Sequence, residues 1–145
     1  MAFLVKMLQG WINDLGLNQL SDEDIYEKLF DCSKLDKDCP KLTINPVLWG
    51  ERHNPNQTAS VTNISPGELS LGNVYNSLCR GVLVNIQSMM SRDFLEKCGV
   101  QKIIGTGNAL VRNRTLQKGV QDVFNLQCVL CEDADASVGA ALSAM

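Results

Sequence analysis

The pattern that most constrains this chain lies in its C-terminal third, where short apolar runs alternate with a helical pattern. Val100–Ile104 is an apolar run of strand length, and Gly105-Thr106-Gly107 interrupts it at once. A helical pattern begins at about Asn113, and Leu126–Cys131 then predicts a second strand. The apolar positions of the helix are Leu116, Val120, Val123 and Phe124. A strand, a helix and a strand in this order indicate an α/β layer.

The N-terminal part predicts two helices followed by a loop-rich segment. Phe3–Leu17 carries a helical stripe of apolar residues. Ser21 is a suitable N-cap for a second helix, and the acidic residues that follow it favour the first turn of that helix. Leu42–Trp49 and Ala59–Ile64 each predict a short strand, and the polar sequence between them predicts an exposed loop.

A long helix is predicted after the second of these strands. Ser65 is expected to be its N-cap, with Pro66 at the first helical position and Glu68 at the third. Its buried face is predicted to carry Leu71, Val74, Leu78, Val82, Ile86 and Met89. At the end of the chain, Ser137–Ala144 predicts a helix of small residues that packs closely on a sheet.

Composition and charge argue against several classes of protein. The net charge is −3 and no basic run occurs, whereas nucleic acids and anionic membranes reward clustered Lys and Arg. The apolar runs are far shorter than the ~18 residues of a membrane-spanning helix. The apolar N-terminus has no basic leader, and Lys6 interrupts it, so a packed helix of a cytoplasmic protein is predicted.

The cysteines offer one pair with metal-ligand spacing, Cys128 and Cys131. A zinc site needs a second pair of ligands, and His53 is the single histidine. Residues three apart in a strand lie roughly 10 Å apart, beyond the reach of a disulfide. We therefore expect core thiols here, with neither a metal site nor a disulfide.

Two loops carry residues that suit binding. The glycines of Gly105-Thr106-Gly107-Asn108 allow close approach of a ligand, and Asn108 offers a donor and an acceptor to a nucleoside edge or a phosphate. The alternative is a turn without a ligand. Gly50-Glu51-Arg52-His53 could bind an anion or pair an acid with a base, or could be a solvated loop with an internal Glu–Arg pair.

These motifs occur in an order that resembles the FGGY carbohydrate kinases along essentially the whole chain. Gly50-Glu51-Arg52 with Pro55 resembles the family's Gly-Glu-Arg loop, and Ala59–Gly81 falls where its second signature lies. Asn63 stands where the broad signature has a glycine. The other matching segments are Phe3–Leu17 around Trp11, Val100–Asn108, Asn113–Gln117, Glu132 and Gly139–Leu142. Several of these motifs most resemble the branch of the family that phosphorylates sedoheptulose.

The resemblance implies an α/β, actin-like (ribonuclease H-like) ATPase domain, truncated at its N-terminus. Residues 1–145 would be the C-terminal, nucleotide-side part of an enzyme that transfers phosphate from ATP, with Mg²⁺, to a ketose. The sugar substrate would sit on a missing N-terminal domain. Neither nucleic acid nor a membrane is expected as a partner.

The resemblance also implies roles for individual residues. The nucleotide contacts would be Gly105, Thr106, Gly107 and Asn108, with Asn113 as a further candidate. Glu51 and Arg52 would shape the cleft. No catalytic residue is assigned, because the family's sugar-activating aspartate and phosphate loops would precede residue 1. The alternatives are another FGGY sugar kinase, such as one for xylulose, and a non-catalytic truncated form that acts as a binding module.

Overall fold

The computed structural model describes residues 1–35, 41–52 and 54–131, and for Asn108 the backbone alone. The chain divides into two compact units, Met1–Leu78 and Cys79–Met145. The predicted helix over 137–144 lies outside the described residues. Among those that are described, no helix is both long enough and apolar enough to span a membrane.

The first unit begins with two helices and two short strands, as the sequence predicts, and the strands pair in an antiparallel sheet. Helix α1 spans Ala2–Asp14 and helix α2 spans Asp22–Leu35. Strand β1 (Thr43–Asn45) pairs with β2 (Ser60–Thr62) in antiparallel register. The buried apolar side chains of this unit are Leu4, Val5, Ile25, Leu29, Leu42, Val47 and Tyr75.

The start of α2 is a reciprocal capping arrangement between Ser21 and Asp24. The Asp24 backbone N–H donates to Ser21 Oγ at 3.1 Å, and the Ser21 backbone N–H donates to Asp24 Oδ2 at 3.3 Å. The Ser21 hydroxyl also donates to Asp24 Oδ2, at 2.7 Å. These bonds stabilise the ionised carboxylate and hold the pKa of Asp24 below its usual value. The sequence prediction of Ser21 as N-cap is confirmed.

Asn63 follows β2 with a left-handed backbone, φ 59°. Glycine and asparagine are the residues that adopt this conformation most readily, so Asn63 can replace the glycine of the broad family signature. Its side-chain amide donates to Thr43 Oγ1 at 3.1 Å, which ties this turn to the neighbouring strand.

The predicted start of the long helix is wrong by one short turn. Helix α3 spans Leu71–Met89, and Pro66–Glu68 forms a separate 3₁₀ turn before it. Ser65 has an extended backbone, but its side chain makes no capping bond. Ser70 provides the bond instead, accepting from the Asn73 backbone N–H at 3.1 Å. The Ser-Pro-x-Glu pattern also fits a 3₁₀ turn, and a second serine lies closer to the helix.

The predicted buried face of α3 is also wrong, by a rotation of about one residue. The buried positions are Gly72, Tyr75, Ser77, Cys79 and Leu83, whereas Leu71, Ile86 and Met89 are exposed. Glycine, serine and cysteine contribute little to an apolar stripe, although small residues allow close packing of a helix. Counting only large apolar residues therefore selects the neighbouring line of the helix.

The second unit contains the predicted strand–helix–strand arrangement. Strand β3 (Lys102–Gly105) pairs with β4 (Gln127–Leu130) in parallel register, and α6 (Arg114–Phe124) lies between them in the sequence. Two short helices were not predicted, α4 (Arg92–Lys97) and α5 (Asn108–Val111). Both are shorter than the stretch over which an apolar period can be recognised.

Helix α6 packs closely on the second half of α3 because Gly119 has no side chain. A Cβ at Gly119 would lie 2.6 Å from Leu83 Cδ1. The Gln87 side-chain amide donates to the Val123 carbonyl at 2.7 Å, which ties the two helices at a second point. Leu116, Val120 and Phe124, three of the predicted apolar positions of α6, are buried.

The expectation of core thiols holds for one described cysteine and fails for the pair at the end of β4. Cys79 is fully buried on α3, whereas Cys128 and Cys131 are half-buried and Cys98 is exposed. Cys128 lies within β4 and Cys131 directly follows it, in a two-stranded sheet with no further strand beside it among the described residues. The prediction assumed a strand covered on both faces.

Candidate functional site

The predicted nucleotide-binding residues lie in one continuous segment of the second unit. Strand β3 ends at Gly105, Thr106 and Gly107 form the turn, and α5 begins at Asn108. The predicted turn after the strand is confirmed, but it is shorter than expected and leads into the unpredicted helix α5 before the helix predicted from about Asn113. Thr106 and Gly107 are exposed, whereas Gly105 is buried.

Gly105 is required by packing. A Cβ at this position would lie 2.5 Å from Leu110 Cδ2 and 3.3 Å from both Cys128 Sγ and Leu130 Cδ2. Leu110 belongs to α5, and Cys128 and Leu130 belong to β4. The missing side chain at Gly105 therefore lets α5 lie over the sheet. The Gly105 carbonyl also accepts from the Cys131 backbone N–H at 2.9 Å. Close approach of a ligand is thus not needed to explain this glycine.

Gly107 is required by backbone conformation and is open to a ligand. Its φ is +86°, a conformation that residues with side chains rarely adopt. A Cβ here would meet no atom within 4 Å. Its carbonyl accepts from the backbone N–H groups of Leu110 and Val111, at 3.1 and 3.0 Å, and so begins α5. Of the predicted residues, Gly107 leaves most room for a nucleoside beside the backbone.

Asn113 has a structural role that the sequence analysis did not anticipate. It is the N-cap of α6, and its Oδ1 accepts from the Leu116 backbone N–H at 3.0 Å. Its side-chain nitrogen faces Cys79 Sγ at 4.0 Å. The amide that was predicted to contact a nucleotide thus contributes its oxygen to the helix cap.

Gln117 fixes the segment between the turn and α6, although it was not predicted as a site residue. Its Nε2 donates to the carbonyls of Leu110 and Val111, at 3.0 and 2.7 Å. These carbonyls lie at the C-terminal end of α5, where no intrahelical partner exists. No local sequence signal identifies this role, because the partners are backbone carbonyls of a separate helix.

The predicted cleft loop lies in the first unit and forms a tight turn. The backbones of Glu51 and Asn54 exchange two hydrogen bonds, of 3.0 and 2.9 Å. Gly50 before it has φ +74°, and a Cβ there would lie 2.3 Å from the Pro55 carbonyl oxygen. Glu51 is half-buried and Arg52 is exposed. His53, which the sequence analysis noted beside them, lies outside the described residues.

The described residues do not provide a metal site. Within 1–35, 41–52 and 54–131, no group of three or more His, Cys, Asp or Glu side chains is placed to hold an ion. We therefore assign no Mg²⁺ ligand within these residues and derive no step through the ion.

Comparison with known proteins relates almost all of this chain to sugar kinases. Human sedoheptulokinase is 43% identical over 142 residues, which cover 98% of this chain and 29% of that protein. The chain thus spans less than a third of the length of this relative. No model of a protein family matches the sequence.

Solved structures of two kinases share the fold. Xylulose kinase from Rhodospirillum rubrum aligns with a TM-score of 0.71 at 16% identity, over 100% of this chain and 29% of that chain. Plasmodium falciparum glycerol kinase, solved with ADP, aligns with a TM-score of 0.65 at 14% identity, over 95% of this chain and 27% of that chain. The chain is therefore homologous to part of the sedoheptulokinases and has the fold of the FGGY carbohydrate kinases.

Proposed function

We propose that this chain is the C-terminal, nucleotide-side portion of an ATP-dependent ketose kinase that converts sedoheptulose to sedoheptulose 7-phosphate. The observation that carries the proposal is the 43% identity to human sedoheptulokinase over 142 residues. A complete enzyme would also need the sugar-binding half, which the resemblance assigns to an N-terminal domain. The complete protein is proposed to act in the cytoplasm.

In this proposal the turn after β3 receives the adenosine of ATP. Thr106 and Gly107 are exposed, and Gly107 leaves open space beside its backbone. Gly105, Asn108 and Asn113 complete the proposed nucleotide segment, and Asn113 also holds the start of α6. Glu51 and Arg52 are proposed to shape the cleft of the complete enzyme.

The role proposed for these residues is to bind and orient the nucleotide. Phosphoryl transfer depends on positioning, on neutralisation of phosphate charge and on a base for the attacking hydroxyl. We assign no base to this chain. ATP would bring Mg²⁺ with its phosphates, and the remaining ligands of the ion would come from outside the chain. The 145 residues alone are expected to transfer no phosphate.

Steady-state kinetics of the full-length parent protein test the proposal. ADP release is measured with a panel of ketoses that includes sedoheptulose and xylulose, with the isolated chain assayed beside it. The proposal predicts the highest kcat/KM for sedoheptulose and no turnover by the isolated chain. A higher value for xylulose would support a xylulose-type kinase instead. Nucleotide binding without turnover in the parent would support a non-catalytic binding module.

A further inference from the structure

A groove runs between α6 and β4 in the second unit. Its volume is about 300 Å³, and it is lined by Arg114, Gln117, Lys118, Gln121, Cys128 and Leu130. This volume is at the lower end of the range for small-molecule sites in proteins. Two cations and two amides of α6 line one wall, no carboxylate is among the described lining residues, and the β4 side is apolar.

The two cations are placed where the helix alone does not favour them. Arg114 is the first residue of α6, near the positive end of the helix dipole, and no acidic residue lies in the first turn to offset it. Lys118 follows four residues later on the same face, a spacing at which like charges repel. An anion bound between them would relieve both costs.

Among the described residues, no carboxylate pairs with either of these cations. Within the part of the chain that the structure describes, the ion pairs are Lys34–Asp31 and Arg92–Glu96. Asp122, one turn after Lys118, is not within ion-pair distance of it. Arg114 and Lys118 are thus available to a ligand from solution.

The groove adjoins the predicted nucleotide turn through its β4 side. Cys128 and Leu130 line the groove, and each carries one of the three side-chain atoms that a Cβ at Gly105 would contact. Gln117, on the wall formed by α6, holds the end of α5 through its Nε2. A ligand in the groove would therefore lie next to the segment that the proposed function assigns to ATP.

We propose that this groove binds the phosphate group of a small phosphorylated molecule, with Arg114 and Lys118 as the charged contacts. Guanidinium and ammonium groups are the side chains that bind phosphate most strongly, and the amide of Gln121 adds a neutral donor. The phosphate could belong to a nucleotide at the neighbouring turn or to a separate sugar phosphate. Only the first source rests on the proposed function.

Binding measurements on the 145-residue chain distinguish the two sources. Isothermal titration calorimetry is run with ADP, with adenosine and with fructose 6-phosphate, on the wild type and on Arg114→Gln/Lys118→Gln. The matched control, Lys97→Gln/Lys102→Gln, removes the same charge from exposed positions outside the groove. Thermal melting confirms that each variant is folded, and amide NMR shifts over 114–121 locate the ligand.

The expected result is that a phosphorylated probe binds about tenfold more weakly to the groove variant and unchanged to the control, as for lost charge-assisted contacts. If the groove variant binds ADP more weakly but adenosine as well as the wild type does, the phosphate in the groove belongs to the nucleotide. If the groove variant binds fructose 6-phosphate more weakly and no protein binds adenosine, the result supports the groove but contradicts the proposed nucleotide turn. Binding of ADP and adenosine that is equal in all three proteins overturns the groove and leaves the proposed function standing. No binding of either phosphorylated probe also overturns it.

Discussion

At the scale of single residues, the two glycines around the turn after β3 are required for different reasons. Gly105 is enclosed by Leu110, Cys128 and Leu130, whereas Gly107 has a left-handed backbone in open space. The sequence pattern Gly-x-Gly does not show whether a glycine is required by close packing or by a left-handed backbone. The difference determines which of the two substitutions affects stability and which affects binding.

Gly107 is expected to affect nucleotide binding in the full-length parent. Leucine fills the space beside the turn, and we predict that Gly107→Leu raises the KM for ATP more than the KM for the sugar. Because leucine also strains a backbone at φ +86°, Gly107→Asn is the matched variant, since asparagine tolerates this conformation. Both variants should lower apparent ATP affinity with little change in kcat. A raised sugar KM with an unchanged ATP KM would contradict the assignment.

Gly105 is expected to affect stability. Gly105→Ala places a Cβ 2.5 Å from Leu110 Cδ2, and overpacking of this kind costs about 1–3 kcal/mol of unfolding free energy. Gly10→Ala is the control, because Gly10 lies within α1 and a Cβ there meets nothing within 4 Å. Urea denaturation should show destabilisation in the first case and stabilisation of up to about 1 kcal/mol in the second. Recovery of stability in Gly105→Ala/Leu110→Ala would identify Leu110 as the contact.

At the scale of elements, the capping arrangement of α2 should make stability depend on pH in the acid range. The hydrogen bonds from the Ser21 hydroxyl and backbone, with a smaller contribution from the Lys28 charge, lower the pKa of Asp24 from 3.8. A carboxylate with a lowered folded-state pKa stabilises the fold above its unfolded-state pKa. That contribution is lost as the pH falls through the folded-state pKa.

Asp24→Asn should therefore remove part of the loss of stability below about pH 4. Urea denaturation from pH 7 to pH 2.5 measures it, with Asp93→Asn as a control in the first turn of α4. Ser21→Ala, which removes the cap, should lower stability by about 1 kcal/mol at neutral pH. An acid dependence of Asp24→Asn that is identical to the wild type would show that the carboxylate is not stabilised as described.

Gln117 is expected to hold α5 against α6. Gln117→Leu removes both hydrogen bonds to the carbonyls of Leu110 and Val111, so amide exchange over 108–113 should become faster than in the wild type. Exchange in the centre of α6 should change little. Gln117→Glu has nearly the same shape but cannot donate from a carboxylate, so it should match the leucine variant. Unchanged exchange in both variants would mean that the glutamine does not position α5.

The elements that the sequence predicts are those with a sustained period or an explicit start. Helix α6 buries Leu116, Val120 and Phe124, and this apolar period and a helix start at about Asn113 could both be predicted, although the capping role of Asn113 was not. The line of small residues on α3 and the four-residue helix α5 could not, because their positions depend on neighbours distant in the sequence. At the candidate site the turn could be predicted, but Gln117 could not, since its partners are backbone carbonyls.

At the scale of the whole molecule, the face of the parallel sheet opposite Gly105 is exposed. Ile104 and Val129 face each other across the pair and are 60% and 41% exposed. Parallel sheets are ordinarily buried on both faces, and a sheet of two strands has little stability of its own. The chain spans 29% of the length of human sedoheptulokinase. The remainder of a full-length parent is thus expected to cover this face.

Polar substitution on this face should benefit the isolated chain, by reducing its self-association, and should destabilise the full-length parent. Ile104→Thr/Val129→Thr keeps a high strand propensity while removing apolar surface, so it should reduce self-association of the isolated chain in light scattering. In the full-length parent the same change should lower the unfolding free energy by about 1–3 kcal/mol, because these positions would then be buried and each would carry an additional hydroxyl. Gln127→Thr, an exposed polar position on the same face, is the control for the isolated chain and should leave its self-association unchanged. If the double variant is as stable as the wild type in the parent, the face remains solvent-exposed there, and the sheet is stabilised from its other side alone.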